Sequence, residues 1–256
     1  MKQIYFLGTG SSTGVPILTC KCKVCKSEDK RDKRMRPSLY LKGEKECVLI
    51  DISADFHWQA LYNDIQRIDA VFLTHAHHDH IAGIDEIRIY NYKQGGAIPF
   101  YANNDTLVEV KERFSYIFKK TQEGGGKPQI NLFNLSPFDT IELEEFKIKA
   151  VKIHHGEIII NGYIINDKLA YLTDCSFIPQ KTFEIIKNID VLILGAIRVK
   201  PHSTHFNFEQ ALEQITKINP KTAYITHMTH DLTHIALEDF FKGKVKIPHD
   251  GLIFEI

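Results

Sequence analysis

The amino-acid sequence predicts a layered α/β fold, and two features of its pattern support that prediction. Short apolar runs rich in β-branched residues, such as 48–51 and 191–195, recur along the chain. Between them lie stretches such as 207–218, whose apolar residues repeat at helical spacing. Strands that alternate with helices are typical of α/β architecture. The length of 256 residues, with no linker-like stretch or internal repeat, predicts a single domain over residues 1–256.

The elements follow from these patterns in chain order. The predicted strands are 3–8, 48–51, 70–73, 147–153, 163–165, 169–173, 191–195, 223–226 and 252–255. The predicted helices are 56–64, 106–118, 179–187, 207–218 and 235–241. The fourth helix opens on Asn207 with Gln210 three residues later, which is the spacing of a capping box. The segment 90–135 is expected to shape a pocket, and its glycine-rich stretch 124–128 indicates a flexible loop.

Composition and charge exclude several classes of protein. Hydrophobic residues make up 43% of the chain and charged residues 25%, which argues against disorder. Lys plus Arg equals Asp plus Glu at 32 each, whereas proteins that bind long nucleic acids usually carry a basic excess. No apolar run approaches the roughly 20 residues of a membrane span, and no signal peptide is recognisable. We therefore expect a cytoplasmic protein with no membrane partner, and the zero net charge disfavours nucleic acid.

The 13 histidines are the most unusual feature of the composition, and many of them follow predicted strands directly. His75 follows strand 70–73, His155 follows 147–153, and His227 follows 223–226. Asp174 stands in the same position after strand 169–173. Because α/β proteins build their sites where the carboxyl ends of strands meet, we expect these side chains to converge.

The densest cluster is the run Thr74-His75-Ala76-His77-His78-Asp79-His80. Imidazole and carboxylate are the usual ligands of Zn²⁺, Mn²⁺ and Fe²⁺ in hydrolytic sites, so this loop predicts a metal centre. His75 and His77 can share one ion, while Asp79 and His80 turn towards a second. His78 lies off this pattern and is expected to bind no metal. Either His154 or His155 can supply a further ligand, and His155 is preferred because Gly156 permits a tight turn.

A second metal site is suggested by three cysteines in six residues, Cys20, Cys22 and Cys25. In a cytosolic chain such a group is better explained as metal ligands than as disulfides. Three thiolates need one more ligand to complete a closed, tetrahedral structural zinc site. Cys47 and Cys175 have no partner by spacing and are expected to be small buried residues.

The motif HxHxDH, followed by a later His, Asp and His, resembles that of the metallo-β-lactamase superfamily across essentially the whole chain. The opening run Leu7-Gly8-Thr9-Gly10-Ser11-Ser12-Thr13-Gly14-Val15-Pro16 and the cysteine trio resemble those of one branch. That branch contains the phosphoribosyl cyclic phosphate phosphodiesterase of phosphonate breakdown. The resemblance implies a four-layer αββα sandwich that holds two divalent ions, Zn or Mn with Fe as an alternative. It implies that the ligands are His75, His77 and His155 for the first ion, Asp79, His80 and His227 for the second, and Asp174 as a bridge.

The same resemblance implies three further features. His230 would complete the cysteine zinc site. His205 would lie at the active centre and assist phosphate binding or leaving-group protonation. A homodimer is the implied assembly.

These features predict a metal-dependent hydrolase, and a phosphodiesterase for a small or cyclic phosphate ester is the leading hypothesis. A metal-bridging hydroxide would attack, because metal binding lowers the pKa of water to about 7. Asp79 would orient this hydroxide and His205 would protonate the departing oxygen. The alternatives are a transfer-RNA 3′ processing nuclease, a thioesterase or lactonase of the glyoxalase type, and, more remotely, a non-catalytic scaffold.

Overall fold

A computed structural model describes residues 2–120 and 126–256, and in these ranges the chain forms two β-sheets flanked by helices. The strands are β1 (Gln3–Gly8), β2 (Ser38–Lys42), β3 (Cys47–Ile50), β4 (Ala70–Phe72), β5 (Ile98–Ala102), β6 (Ile130–Asn134), β7 (Thr140–Glu142), β8 (Lys147–His155), β9 (Ile158–Ile165), β10 (Leu169–Leu172), β11 (Val191–Gly195), β12 (Thr222–Thr226) and β13 (Ile253–Glu255). The helices are α1 (Phe56–Tyr62), α2 (His78–Ile81), α3 (Ile87–Gln94), α4 (Asn104–Arg113), α5 (Ser115–Phe118), α6 (Gln180–Ile186), α7 (Phe208–Ile218) and α8 (His234–Phe241), with short 3₁₀ turns at Lys30–Asp32 and Ile84–Glu86.

The two sheets pack face to face and carry helices on their outer faces. The first sheet has the strand order β13-β1-β2-β3-β4-β5-β6, and the second has the order β12-β11-β10-β9-β8-β7. Phe72 of the first sheet and Tyr163 of the second pack together in the central core, with ring centroids 5.6 Å apart. A second core joins the first sheet to α1, α3 and α4, and a third joins the other sheet to α6, α7 and α8. This arrangement is the four-layer αββα sandwich, so the predicted fold class is confirmed.

Alternation along single strands explains how each sheet serves two cores. In β2, Leu39 belongs to the core between the sheets, whereas the next residue, Tyr40, packs towards the helices. Successive side chains in a strand point to opposite faces, and here both faces are covered. Strands such as β3 and β10 are therefore buried along their whole length and appear in the sequence as continuous apolar runs.

Strand direction places the carboxyl ends of both sheets at one edge. Strands β3 to β6 of the first sheet run parallel to one another. Strands β10, β11 and β12 of the second sheet are likewise parallel. The loops that follow β4, β10 and β12 carry His75, Asp174 and His227 respectively.

Several elements differ from those expected from sequence. The predicted helix 106–118 is two helices, α4 and α5, because the backbone of Phe114 leaves the helical region at φ −108° and ψ 35°. Strands β2, β5, β6 and β7 were not predicted; β5 contains Pro99, which disfavours a strand in sequence analysis. The predicted capping box is present, with reciprocal hydrogen bonds between Asn207 and Gln210. Within the expected flexible loop, residues 124 and 125 lie outside the described ranges.

None of the helices in the described ranges combines the length and the apolar character that crossing a membrane requires.

Candidate metal centre

The loop after β4 and the short helix α2 carry four of the predicted ligands. His77 precedes the first residue of α2 with extended backbone angles, and one helical turn then directs Asp79 and His80 inward. Asp79 and His80 are 5% and 0% exposed, whereas His78 points outward and is exposed. His77 is exposed as well, so burial does not alternate residue by residue: His75 is buried before the turn of helix, and Asp79 and His80 are buried within it.

Two groups of side chains have the geometry of metal sites. The first group contains His75, His77, His155 and Asp174, and the second contains Asp79, His80, His227 and Asp174. Within each group, one potential ligand atom from every residue lies within 4.8 Å of the others. Asp174 belongs to both groups, so the structure brings together all seven side chains that the sequence analysis selected.

Strand alternation separates His155 from its neighbour. His155 is the last residue of β8 and is buried beside His75 and His77, with ring centroids 5.5 Å and 5.1 Å away. His154 lies on the opposite face of the strand and packs against the ring of Phe177 at 5.5 Å. Of the two histidines, the structure therefore places His155 in the cluster.

The buried polar atoms of the two groups fit metal ions. His75 Nε2, Asp79 Oδ2, His80 Nε2 and His227 Nδ1 are buried and have no hydrogen-bond partner. Polar atoms buried without a partner are costly, and native proteins avoid them unless something else satisfies them. A divalent ion in each group would satisfy all four atoms, and imidazole and carboxylate are the donors that such ions accept.

The protonation states also suit metal binding. Burial and the neighbouring His80 hold the pKa of His75 well below its usual value, so its imidazole is neutral. Burial opposes charge on Asp174, but His227 and His80 outweigh it and hold the pKa of this carboxyl well below its usual range. Burial also opposes charge on His80, yet Asp174, Asp79 and Asp51 raise its pKa well above the usual value. The three carboxylates favour a positive charge beside them, which protonated His80 would carry. A bound metal ion would supply that charge instead and leave His80 neutral.

Asp51 is a residue of this site that the sequence analysis missed. Its carboxylate Oδ2 lies 2.7 Å from His80 Nδ1 and is completely buried. Thr74 donates to Oδ1 of the same carboxylate through its backbone N–H at 2.8 Å, and its hydroxyl lies 2.9 Å from Oδ2. A carboxylate behind a ligating histidine fixes the ring orientation and leaves the other ring nitrogen facing the ion. The only indication in the sequence was that a single Asp ends a buried apolar strand.

His155 has a similar support, but from the backbone. Its Nδ1 lies 2.7 Å from the carbonyl oxygen of Thr204, which accepts this hydrogen bond. The opposite nitrogen, Nε2, is thereby left to face the cluster.

His205 lies at the centre without belonging to either ligand group. Its ring is 4.5 Å from that of His155 and 4.9 Å from that of His227. Its Nδ1 is buried without a partner, and burial together with His227 lowers the pKa of His205 to about 3. The side chain is therefore neutral at physiological pH and can donate a hydrogen bond from one ring nitrogen.

The strand ends adopt unusual backbone angles at this site. Asp51, Asp174 and His227 have φ values of 61°, 52° and 62°, which lie in the left-handed region. Residues other than glycine adopt this region rarely, and such positions concentrate at functional sites. The turn at Asp174 also packs tightly on Gly195, where an added Cβ would lie 2.8 Å from the Asp174 nitrogen.

The three cysteines and His230 form a separate group. The Sγ atoms of Cys20, Cys22 and Cys25 lie 3.4, 3.3 and 3.3 Å from His230 Nδ1. A hydrogen bond from the Cys25 backbone N–H is the main cause that lowers the pKa of Cys22 to about 6, which favours its thiolate. The donor set suits a closed tetrahedral zinc site. Cys47 and Cys175 are buried elsewhere, as expected.

This cysteine group joins two segments that are already hydrogen-bonded. Ser11 N–H donates to the carbonyl oxygen of Met228, and Met228 N–H donates to that of Thr9. Met228 lies between His227 and His230, so the N-terminal loop is held against the segment that carries a centre ligand.

A cleft of about 470 Å³ opens beside the first ligand group. Its lining residues are His75, Ala76, His77, Asn103, Asp105, Thr106, Glu109, Arg113, Glu157, Ile158, Ile159 and Ile160. Helix α4, which supplies part of this wall, lies in the 90–135 segment that was expected to shape a pocket.

The αββα sandwich and the His- and Asp-rich strand ends define a hydrolase of the metallo-β-lactamase type. Comparison with known families agrees: residues 47–228 match the model described as "Beta-lactamase superfamily domain". The chain belongs to the β-lactamase superfamily. The predicted superfamily membership is thereby confirmed, and the chain is placed among metal-dependent hydrolases.

Individual relatives refine this placement. The crystal structure of a diphosphatase from the PhnP family is 37% identical, covers 100% of this chain and 98% of that chain, and has a TM-score of 0.92. Zinc-bound PqqB from Methylobacterium extorquens shares the fold at 16% identity, covers 99% of this chain and 100% of that chain, and has a TM-score of 0.82. An octanoyltransferase of Porphyromonas gingivalis is 36% identical over 88% of this chain. The chain spans only 45% of that relative's length.

Proposed function

We propose that this chain is a phosphodiesterase with a dinuclear metal centre that acts on a small or cyclic phosphate ester. The observation that carries the proposal is the pair of ligand groups that share Asp174. Two adjacent ions are the arrangement used by many enzymes that cleave phosphate esters. The 37% identity to a diphosphatase over the whole chain supports phosphate chemistry in particular.

Each residue of the centre has a proposed role in metal binding or in hydrolysis. His75, His77 and His155 would hold one ion, Asp79, His80 and His227 the other, and Asp174 both. When bound, such ions supply an activated water and take up charge on the phosphoryl oxygens. Asp79 would orient the water. His205, which is buried and neutral, would donate a hydrogen bond to the phosphate, a role that its low pKa favours over proton donation.

The metals are part of the proposal. We propose Zn or Mn, with Fe as an alternative, in the shared centre, and one structural zinc bound by Cys20, Cys22, Cys25 and His230. The donor set of the centre suits all three metals, so it does not choose among them.

Octanoyl transfer is a second function to consider, because the 36% identical relative carries that name. The chain matches less than half of that protein, so its activity need not reside in the shared part. The two ligand groups of the centre consist of His and Asp side chains, which suit a metal-activated water as the attacking group. Cys175 adjoins Asp174, but it is fully buried and burial raises its pKa. The site therefore favours hydrolysis over acyl transfer.

The proposal is tested by hydrolysis of bis-para-nitrophenyl phosphate by the manganese-loaded protein. We expect turnover by the wild type and none by Asp79→Ala, because this variant lacks a ligand and the orienting carboxylate. Asp239→Ala, which removes an exposed carboxylate on α8, is the matched control and should retain full activity.

A fully metal-loaded wild type that leaves this ester and a panel of cyclic phosphates intact would contradict the proposal. Turnover of an acyl thioester or a lactone by the same preparation would then favour the glyoxalase-type alternative. Cleavage of precursor transfer RNA would favour the nuclease.

A further inference from the structure

The hydroxyl of Tyr163 lies in the hydrophobic core between the two sheets, where a polar group is costly unless it has a partner. The Tyr163 side chain is completely buried, and burial raises the pKa of its hydroxyl, which therefore keeps its proton. The hydroxyl donates to the backbone carbonyl oxygen of Leu73 at 2.5 Å. A phenylalanine would fill the same space without this polar group, so the hydroxyl has its value in the hydrogen bond that it makes.

Tyr163 is one of two residues through which β9 holds the ligand loop, defined here as residues 73–77 between β4 and α2. The other is Asn161, whose backbone N–H donates to the Thr74 carbonyl oxygen at 3.1 Å. The pairing of β9 with β10 ends at Tyr163, so this N–H lies beyond the ladder and is used by the loop. Two consecutive carbonyl groups at the start of the ligand loop are therefore bonded to one strand of the second sheet.

The same strand is bonded to the strands that carry ligands in the second sheet. It pairs with β8, which ends in His155, and with β10, which leads to Asp174. Tyr163 belongs to this sheet, whereas Leu73 follows β4 of the first sheet. Their hydrogen bond therefore fixes the ligands of one sheet relative to those of the other.

From Thr74 the contacts continue to the ligand side chains. Its hydroxyl lies 3.0 Å from His75 Nδ1. Its backbone N–H donates to Asp51, the carboxylate that supports His80. Because His75 belongs to the first ligand group and His80 to the second, a shift of the Thr74 backbone would move a ligand of each group.

The middle of the ligand loop is held by helix α4. Arg113 donates to the Ala76 carbonyl oxygen at 2.7 Å, between His75 and His77. The Arg113 side chain is 45% exposed and also pairs with Glu109 at 2.8 Å. The loop is therefore bonded to the second sheet at its start and to α4 at its middle.

We propose that Tyr163 is a positioning residue of the metal centre. Its hydrogen bond holds the ligand loop so that the two histidines of the loop meet His155 at the separation that one ion requires, and Arg113 supports the loop from α4. The inference rests on the proposed function, because it assumes that ions occupy the two ligand groups. It adds that ion affinity depends on a hydroxyl that acts through the backbone of the loop.

Tyr163→Phe tests this role, because it removes the hydroxyl and keeps the ring that packs on Phe72. The manganese-loaded protein is titrated with a competing fluorescent chelator, with no substrate present. We expect the affinity for one ion to fall roughly tenfold, as when a ligand loses its support. The electron paramagnetic resonance spectrum of the two-manganese protein should also change, because the coupling between the ions depends on their separation.

Tyr90→Phe is the matched control. Tyr90 is likewise buried, and its hydroxyl donates to the Ile65 carbonyl oxygen at 2.9 Å, away from the ligand groups. Both variants should lower the midpoint of urea denaturation by similar amounts, whereas only Tyr163→Phe should change the manganese affinity and the spectrum. Unchanged affinity in Tyr163→Phe, or an equal loss in Tyr90→Phe, would overturn the inference.

Arg113→Gln tests the hold on the ligand loop without touching the core, so the inference stays testable if Tyr163→Phe does not fold. It should lower the manganese affinity about two- to fivefold, as expected for a partly exposed contact. Arg88→Gln, which removes an exposed arginine of α3, should leave the affinity unchanged. Equal affinities in these two variants would count against the hold. Because affinity is measured without substrate, a metal-binding wild type that hydrolyses no phosphate ester would refute the proposed function and not this role.

Discussion

At the residue scale, the centre depends on groups outside the two ligand sets that orient the ligand side chains. Asp51 holds His80 through its 2.7 Å contact with Nδ1, and Thr74 in turn holds Asp51. The carbonyl oxygen of Thr204 does the same for His155. Because an imidazole can rotate, a ligand that lacks such a support loses affinity for the ion even when its own nitrogen is intact.

Asp51→Asn should therefore weaken metal binding without removing a ligand. Asparagine has nearly the same size and tolerates the left-handed backbone of this position, but it lacks the charge that complements His80. We expect a loss of about 10- to 100-fold in affinity for one of the ions, measured by competition with a chromogenic chelator.

The control for this substitution is Asp69→Asn. Asp69 accepts a hydrogen bond from the Cys47 backbone N–H and contacts Arg67, away from the ligand groups. Its variant should bind metal as the wild type does. Equal affinity in wild type and Asp51→Asn would show that the carboxylate does not support the ligand.

At the element scale, the positions of the strand ends decide whether the ligands meet. The turn after β10 presents Asp174, and β11 runs parallel beside it with Gly195 at its end. Any side chain at Gly195 would push against the backbone of Thr173 and Asp174. The position of Asp174, which belongs to both ligand groups, is therefore fixed by close packing of its backbone against that of Gly195.

Gly195→Ala should displace Asp174. Its Cβ would lie 2.8 Å from the Asp174 nitrogen, closer than real Cβ contacts allow, and 3.2 Å from the Thr173 carbonyl carbon, which is a tight contact. We expect a loss of about 1–3 kcal/mol in the free energy of unfolding, measured by urea denaturation, together with reduced metal content. Gly126→Ala is the matched control, since nothing lies within 4 Å of its added Cβ. Full metal content and unchanged stability in Gly195→Ala would refute this role for the glycine.

The cysteine group acts on the same scale, because it joins the N-terminal loop to the segment after β12. Cys22→Ser should reduce the metal content from about three ions per chain to about two, with zinc lost, since a tetrahedral site needs all four ligands. Elemental analysis of the purified proteins measures this directly. Cys47→Ala, which removes a thiol outside the group, should keep all the metal. Two ions in both the wild type and Cys22→Ser would remove the zinc site from the proposal.

At the scale of the whole molecule, the centre connects the two sheets. The loop after β4 of the first sheet supplies His75, His77, Asp79 and His80. In the second sheet, His155 ends β8, and Asp174 and His227 follow β10 and β12. Ions bound between these ligands would therefore hold the two halves of the sandwich together at this edge.

Removing the metal should consequently destabilise the fold. An ion present at 100 times its dissociation constant stabilises the folded state by about 2.7 kcal/mol, and a chelator removes that contribution. We expect a lower unfolding temperature with EDTA in scanning calorimetry. The experiment uses the Cys22→Ser variant, which lacks the cysteine zinc site, so that the change reports only the two ligand groups that share Asp174. The same EDTA treatment of Cys22→Ser/Asp79→Ala should cause a smaller shift. An unfolding temperature that EDTA does not change would show that the ions do not link the sheets.

Predictions from the sequence were reliable where ligand chemistry and local periodicity coincide. The run from His75 to His80 combines several ligand types in one loop, and Asn207 with Gln210 marks a helix start without tertiary information. The prediction was weaker between residues 90 and 135. Strand β5 was not predicted because it contains Pro99, and the single helix predicted at 106–118 is broken at Phe114. Local propensity does not report these features, because packing against the rest of the sheet determines them.

The sequence by itself determined the layered α/β class, the ligand types and their placement after strands, because strand periodicity and ligand chemistry are local properties. It also indicated the superfamily, through short motifs such as the run from His75 to His80 and their order along the chain. Only the tertiary structure decided that Asp51 supports His80 and that α4 and the β8–β9 hairpin enclose one cleft. Asp51 and His80 are 29 residues apart and meet because β3 and β4 lie side by side in the first sheet. Helix α4 and the hairpin meet because the two sheets bury their faces against each other, and no short segment encodes either contact.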